Sequence, residues 1–273
     1  MNGIRIWMTL LMLLQFAWSS FAGWVISEES VDNYGNKSFQ TTFIQQNRIR
    51  YESSTSVTIL DLNDSTITIV FPTLMVYWKG NPDELNEEMF MAFEVQVQSL
   101  IAGLPQSEQP AFQQMYDSIK IKLQRSDTGY RVQPSLHLKK TAENLDVGIY
   151  HTTAYALYRD SIIKKEFWVA SGLNPYEEVD IQRFISLNNR INPYSRRGIA
   201  IQAEEYLNLL NSGIIVKSRV YGGADEVLET SVVDYGKVNI PDDFFLPPAN
   251  YRKVSLAEAF TLPMIDSELF NSE

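Results

Sequence analysis

The sequence predicts an α+β fold: a large antiparallel sheet with helices inserted between groups of strands. From Trp24 to Lys79 the chain is a series of short polar–apolar alternations separated by turn residues. From Asn81 the apolar spacing changes from two residues to three and four, and it returns to alternation after Tyr130. Parallel neighbours need long crossovers, and the early turns are too short for them. No linker divides the chain, so one domain is expected.

Strands are expected at Trp24 to Val31, Ser38 to Gln45, Arg48 to Ser53, Val57 to Leu62, Thr66 to Val70 and Leu74 to Lys79. Their turns are Asn33 to Asn36, Gln46-Asn47, Asn63-Asp64 and Pro72-Thr73. A first helix begins at Asn81-Pro82, with Leu85, Met89, Phe93, Val97, Leu100 and Ile101 at helical spacing and Glu84, Glu87 and Glu88 near its positive end. Gly103 and Pro105 stop it. A second helix, Gln109 to Gln124, aligns Phe112, Met115, Tyr116, Ile119 and Leu123. Both stripes are read as cover for the sheet. Strands follow at Tyr130 to Lys139 and within Tyr150 to Ser171, then helices at Tyr176 to Ile191 and Ile199 to Leu210, the latter capped by Asn211-Ser212-Gly213. Ile214 to Tyr221 and Glu226 to Val238 read as a hairpin around Gly222-Gly223, and Tyr251 to Ser255 as a last strand. The pattern sums to about a dozen strands and three or four helices.

The first residues read as an export signal. Arg5 precedes an apolar run from Ile6 to Trp18, and Ser20-Phe21-Ala22 supplies small residues at the −3 and −1 positions of a cleavage site. The run is short for a membrane span. Residues 1–22 are therefore expected to be removed near Ala22, leaving a domain over residues 23–256, an acidic and loosely held tail over residues 257–273, and no transmembrane anchor. The alternative is an uncleaved N-terminal anchor. The chain contains no cysteine, so its stability rests on a hydrophobic core, and lipoprotein processing, which requires a cysteine, is excluded. A periplasmic or extracellular location follows. With 33 acidic against 23 basic residues and a net charge of −10, the surface repels phosphate backbones, and nucleic-acid binding is excluded.

Catalytic and metal motifs are sparse. The sequence has no Gly-rich phosphate loop, HExxH, GxSxG or cysteine pair. Asp61-Leu62-Asn63-Asp64-Ser65 opens like a calcium loop, but Thr66 stands where glycine is required and Pro72 where the bidentate glutamate belongs, so it is read as a turn. Adjacent acids occur at Glu87-Glu88, Glu177-Glu178, Glu204-Glu205 and Asp242-Asp243. Paired carboxylates suit glycoside hydrolysis at the right separation, whereas adjacent acids usually sit on solvated helix surfaces, the reading preferred here. Only two histidines are present, His137 and His151, and a zinc site needs three or four ligands. No metal, cofactor or catalytic residue is assigned.

The segment YHTTAYALYRDSIIKKEFWVAS (residues 150–171) gathers one histidine with threonines and tyrosines. If Asp160-Ser161 is a two-residue loop, Arg159 faces Ile162, and the pairs run from Tyr158 with Ile163 to Tyr150 with Ser171. Tyr158, Ala154 and Thr152 then share a packed face with Ile163, Phe167 and Val169, and His151 falls on the wetter side. A three-residue loop would shift this register.

Several stretches carry a family resemblance. DVGIYHTTAYALYRDSIIKKEFWVASGL resembles a Gly-Tyr strand, hairpin and Trp-bearing strand; AEEYLNLLNSGIIVKSRVY resembles a helix leading into a strand; IPDDFFLPPANYRKVS resembles a closing Phe, Pro and aromatic-Lys ending. Together they look like an uncharacterised family of exported bacterial proteins similar to the periplasmic lipoprotein carrier and receptor superfamily of the Lol pathway. The likeness spans most of the chain after residue 22 and is stronger in its second half. It departs at Asn250, where the family has glycine before the aromatic residue. The resemblance implies an open half-barrel of about eleven antiparallel strands curled around an apolar concave face, with helices as a lid, and a cavity for acyl chains.

The function expected is that of a non-catalytic exported binding protein holding a lipid or other hydrophobic ligand between sheet and helices. Tyr150, Ile163, Phe167 and Val169 would line the sheet side, and Phe93 and Val97 the lid. Each also suits an ordinary core. The alternative is an envelope protein-interaction or sensory module, which predicts an exposed apolar patch beside a closed core. An enzyme using clustered carboxylates is a third reading.

Overall fold

A computed structural model describes residues 22–125, 136–191, 209–222 and 226–262. The export signal, the start of the strand expected from Tyr130, most of the helix expected at Ile199 to Leu210, Gly223 and the end of the acidic tail lie outside the described residues. The remainder is α+β. A single open sheet of twelve strands runs in the order β12-β6-β5-β4-β3-β2-β1-β11-β10-β9-β8-β7, antiparallel except where β12 joins β6.

Strands β1 (Ala22–Asp32), β2 (Lys37–Gln45), β3 (Arg48–Glu52), β4 (Val57–Asp61), β5 (Thr66–Phe71) and β6 (Val76–Gly80) form the expected meander. Its register aligns Trp24, Ile44, Ile49, Leu60 and Ile67 in one row across five strands, all of them buried. This row is the floor of the main core. Strand β6 starts later than the sequence suggests, because Pro72–Leu74 forms a 3-10 turn and Met75 takes a left-handed conformation at φ 51°. The calcium-like stretch is a turn: the Asp61 carboxylate accepts from the amides of Asn63 (2.9 Å) and Asp64 (3.4 Å).

Helix α1 (Pro82–Ala102) begins where expected. The Asn81 side chain accepts from the Asp83 and Glu84 amides at 2.9 and 3.0 Å, and the Glu84 carboxylate accepts from the Asn81 amide at 2.9 Å. Helix α2 is Gln109–Arg125. Strands β7 (Leu136–Val147), β8 (Tyr150–Arg159) and β9 (Ile162–Ala170) follow, then a 3-10 turn at Pro175–Glu178 and helix α3 (Ile181–Ile191). The sequence suggested one helix from Tyr176. The break arises because the Asp180 carboxylate caps a new start, accepting from the Gln182 and Arg183 amides at 3.1 Å each. Residues 209–212 are helical, and Gly213 (φ +156°) leads into β10 (Ile214–Tyr221) where a Cβ would strike the Ala170 carbonyl. Strand β11 is Val227–Asn239 and β12 is Arg252–Lys253.

The main core lies between the meander and its cover. Leu85 and Ala92 of α1, Ile181, Ile185 and Leu187 of α3, Leu210 and Leu256 all enter the cluster that holds Trp24, Ile44 and Trp78. The opposite face of β3 to β5 carries a second cluster, where Ile240 and Phe245 pack on Val57, Ile59 and Val70. Residues 256–262 are helical, with Leu256 and Ala259 buried, although the sequence reading placed the chain from residue 257 in a loose tail.

Candidate binding surfaces

The turn at Asp160-Ser161 is where the sequence places it, and Arg159 faces Ile162 and Tyr158 faces Ile163. Beyond that the register is corrected. Lys164 is bulged out, so Leu157 meets Lys165, Tyr155 meets Phe167 and Thr153 meets Val169. Ile162-Ile163-Lys164-Lys165 offers no polar–apolar alternation to reveal the slip. The expected ligand-lining set is thereby divided. Phe167 and Val169 lie with Leu209, Tyr155 and Leu157 in a cluster of their own. Tyr150 turns to the other side, against Tyr235 (ring centroids 5.8 Å apart) at the edge of the main core, and burial beside Tyr235 and Asp234 raises its phenol above the usual range. Ile163 stays half-buried across from Tyr158.

His151 is a surface residue, its side chain 90% exposed and its Nδ1 2.6 Å from the Asp146 carboxylate. His137 stacks on Tyr158 with ring centroids 5.4 Å apart. Among the described residues no three histidine, aspartate or glutamate side chains converge as a metal site. The paired acids serve separate structural ends: Glu88 accepts from the Leu256 amide (2.8 Å), Glu177 pairs with Lys237 (3.0 Å) and Asp242 with Arg48 (2.6 Å). Glu204 and Glu205 lie outside the described residues.

A polar strip crosses β9, β10 and β11. Arg219 and Lys217 flank the Trp168 ring at 5.7 and 5.6 Å, and both bind the Glu229 carboxylate, Arg219 through Nη2 at 2.8 Å and Lys217 at 2.7 Å. Tyr221 donates to Glu166, which Arg219 approaches at 3.7 Å. Burial alone would raise the Glu229 carboxyl, but the bonds from Lys217 and Arg219 outweigh it and hold the group below the usual range. Burial and the Glu166 contact push the Tyr221 phenol up. Each cation already has a carboxylate partner, so the strip is a cross-strand ion-pair ladder.

The α1–α2 hairpin is different. Its base is anchored: Asn86 donates to the Arg190 carbonyl (2.6 Å), Arg190 pairs with Asp83 (2.6 Å), and Leu85 and Ala92 are buried. From Phe93 on, α1 turns its contacts to α2. Phe93 packs on Tyr116 (6.2 Å), Lys120 and Tyr116 both donate to Glu94, and Gln98 donates to Gln113 (3.3 Å). Phe93 is 48% exposed and Val97 half-buried, and neither belongs to a core cluster. The expected lid residues therefore do not close on the sheet; they belong to a projecting hairpin.

That hairpin exposes large apolar side chains. Met89, Met91, Val95 and Leu100 of α1 are joined by Phe112, Met115, Ile119 and Ile121 of α2, with Leu100 70% exposed. So many exposed apolar side chains on one element are more than scattered surface residues, and an exposed apolar surface of this kind is a candidate contact surface. The sheet edge, by contrast, is blunted: β7 is bulged around Thr141 and again around Glu143-Asn144, and exposes Lys139 and Lys140. Helical stripes alone did not reveal the projection. The signal was the apolar residues off the stripe, Met91, Val95 and Ile121, which a helix lying on a sheet has no reason to carry.

No family model and no curated protein matches the sequence. Among solved structures, that of PNGF-II in the C2 space group is similar with a TM-score of 0.37 at 8% identity, covering 88% of this chain and 32% of that one. The chain thus spans about a third of that protein's length, and a likeness this distant carries no argument about function.

Proposed function

We propose that this is a non-catalytic exported binding protein of the cell envelope that engages an apolar ligand or partner through the α1–α2 hairpin. The observation that carries it is the exposure of Leu100, Phe112 and Met115 beside a core in which Trp78 is 1% exposed. The sheet, curved as an open half-barrel in the family it resembles, serves as scaffold. Carriage of a lipid or other hydrophobic ligand between sheet and helices was the expectation; the exposed apolar side chains favour placing that ligand class on the hairpin. Export is supported by the apolar run and small residues ahead of Gly23. Cleavage after Ala22 would leave Trp24 and the rest of β1 in the sheet.

The test is an apolar fluorescent probe such as anilinonaphthalene sulfonate, titrated against the protein and a Leu100→Gln, Phe112→Gln, Met115→Gln variant. The wild type is expected to enhance the probe strongly and the variant weakly, with the same thermal midpoint. Equal enhancement by both would place the apolar surface elsewhere and overturn the reading.

A further inference from the structure

We infer that the exposed flanks of the α1–α2 hairpin insert into the interfacial region of a phospholipid bilayer of low surface charge; this rests on the hairpin being the binding surface. Two observations narrow the occupant from any apolar partner to a lipid surface.

The first is that the hairpin is apolar on both sides. The contacts of Phe90, Phe93, Glu94 and Gln98 with Gln113, Tyr116 and Lys120 mark the seam, and early residues of α1 meet late residues of α2, so the helices are antiparallel. At about 100° per residue, Met89 and Leu100 lie roughly 100° to one side of that seam and Met91 and Val95 roughly 100° to the other. On α2 the same geometry puts Phe112, Met115 and Ile119 on the first side and Ile121 on the second. A flat protein face, or a second copy packing as a helical bundle, covers one flank and leaves the other wet. A bilayer surrounds the tip and covers both.

The second is the distribution of charge. Between Glu94 and Asp117 the only charged residue is Glu108, and Glu94 is itself neutralised by Lys120. Charged residues gather instead at the base, where Asp83, Glu84, Glu87 and Glu88 begin α1 and Lys120, Lys122 and Arg125 end α2. The hairpin is thus an apolar, nearly uncharged tip on a stem of mixed charge, carried by a chain of net charge −10. An uncharged medium accepts the tip, and an anionic surface repels the chain as a whole. No helix among the described residues is long and apolar enough to cross a membrane, which suits a tip that dips into one leaflet.

The chain has no cysteine, so a single introduced thiol reports from one place. Met115→Cys and Val95→Cys probe the two flanks, and Tyr34→Cys, in the turn between β1 and β2, is the control. Each is made in the full chain, labelled with a nitrobenzoxadiazole fluorophore, and mixed with phosphatidylcholine vesicles. The labels at 115 and 95 are expected to brighten severalfold with a blue shift and to be quenched by nitroxide-labelled lipid, while the label at 34 stays unchanged. The response should fall when half of the lipid is replaced by phosphatidylglycerol. A response at 115 without one at 95 would indicate a one-sided protein or self interface and overturn the proposal, as would an equal response at 34 or none at either flank. Ile119→Cys replaces Met115→Cys if the latter fails to fold. Silence toward vesicles with probe binding intact defeats the lipid assignment alone; loss of both defeats the binding surface as well.

Discussion

At Asn47 three loops meet in one residue. It sits in the β2–β3 turn at φ 62°, a left-handed conformation that asparagine tolerates better than most residues. Its amide donates to the Glu178 carbonyl (2.8 Å), its carbonyl accepts from the Leu62 amide (2.9 Å), and its side-chain oxygen accepts from the Asp180 amide (2.6 Å). The turns after β2 and β4 are thereby tied to the start of α3. Replacing Asn47 by alanine removes the side-chain bonds to Asp180 and Asn63 and adds left-handed strain, at a combined cost of about 1–3 kcal/mol. Asn47→Gly removes the same bonds without the strain, so it should fall between wild type and alanine. Urea unfolding at constant m-value reads both, and an alanine variant as stable as wild type would show that the junction holds nothing.

Among the elements, the segment that crosses the outer face of β3 to β5 is held by arginine. Arg50 donates through Nη1 to the Phe244 carbonyl (2.6 Å), pairs with Glu52 (2.6 Å), and lies 4.2 Å over the Phe244 ring, which packs edge-on against Phe43. Arg50→Lys keeps the charge but loses the planar stack and fork, and should loosen this segment by about 1–2 kcal/mol. Hydrogen exchange would read it at the amides of Phe244 and Leu246, which bond to Pro241 and Asp243. Acceleration spread equally through the β2–β3 ladder would mean that the sheet, not the segment, depends on Arg50. Elements of this sort were only partly legible in the sequence. The meander and the α1 cap are local, written in turn residues and in Asn81 with Glu84. The Asp180 cap is local, made with the Gln182 and Arg183 amides, whereas the Lys164 bulge and the crossing by Phe244 and Phe245 depend on partners in other strands, and no periodicity encodes them. The same limit hid the hairpin: Phe93 and Val97 have the spacing of a sheet-covering helix, and only tertiary contacts show that α1 leaves the core after Ala92.

For the whole molecule, the division between core and contact surface is the claim on which the function rests, and stability measurements can test it directly. The C-terminal residues lie on the core side. Val254 donates to the Tyr77 carbonyl (2.9 Å), Leu256 is 0% exposed with its amide bound to Glu88 of α1, and Phe260 packs edge-on against Phe71 (5.9 Å). One short segment thus joins strand β6 to the base of the hairpin. Leu256→Ala should cost about 2–5 kcal/mol, the range for emptying a buried leucine site. Leu100→Ala, on the hairpin tip, deletes a side chain that is mostly in water and should change stability by no more than about 0.5 kcal/mol. Ending the chain at Ser255 should be at least as damaging as Leu256→Ala, because it also removes Ala259 and Phe260 from their packing. The comparison needs only denaturant midpoints of the three variants. If Leu100→Ala proves as destabilising as Leu256→Ala, the hairpin belongs to the core, its apolar residues need no partner, and the binding surface assigned to it falls.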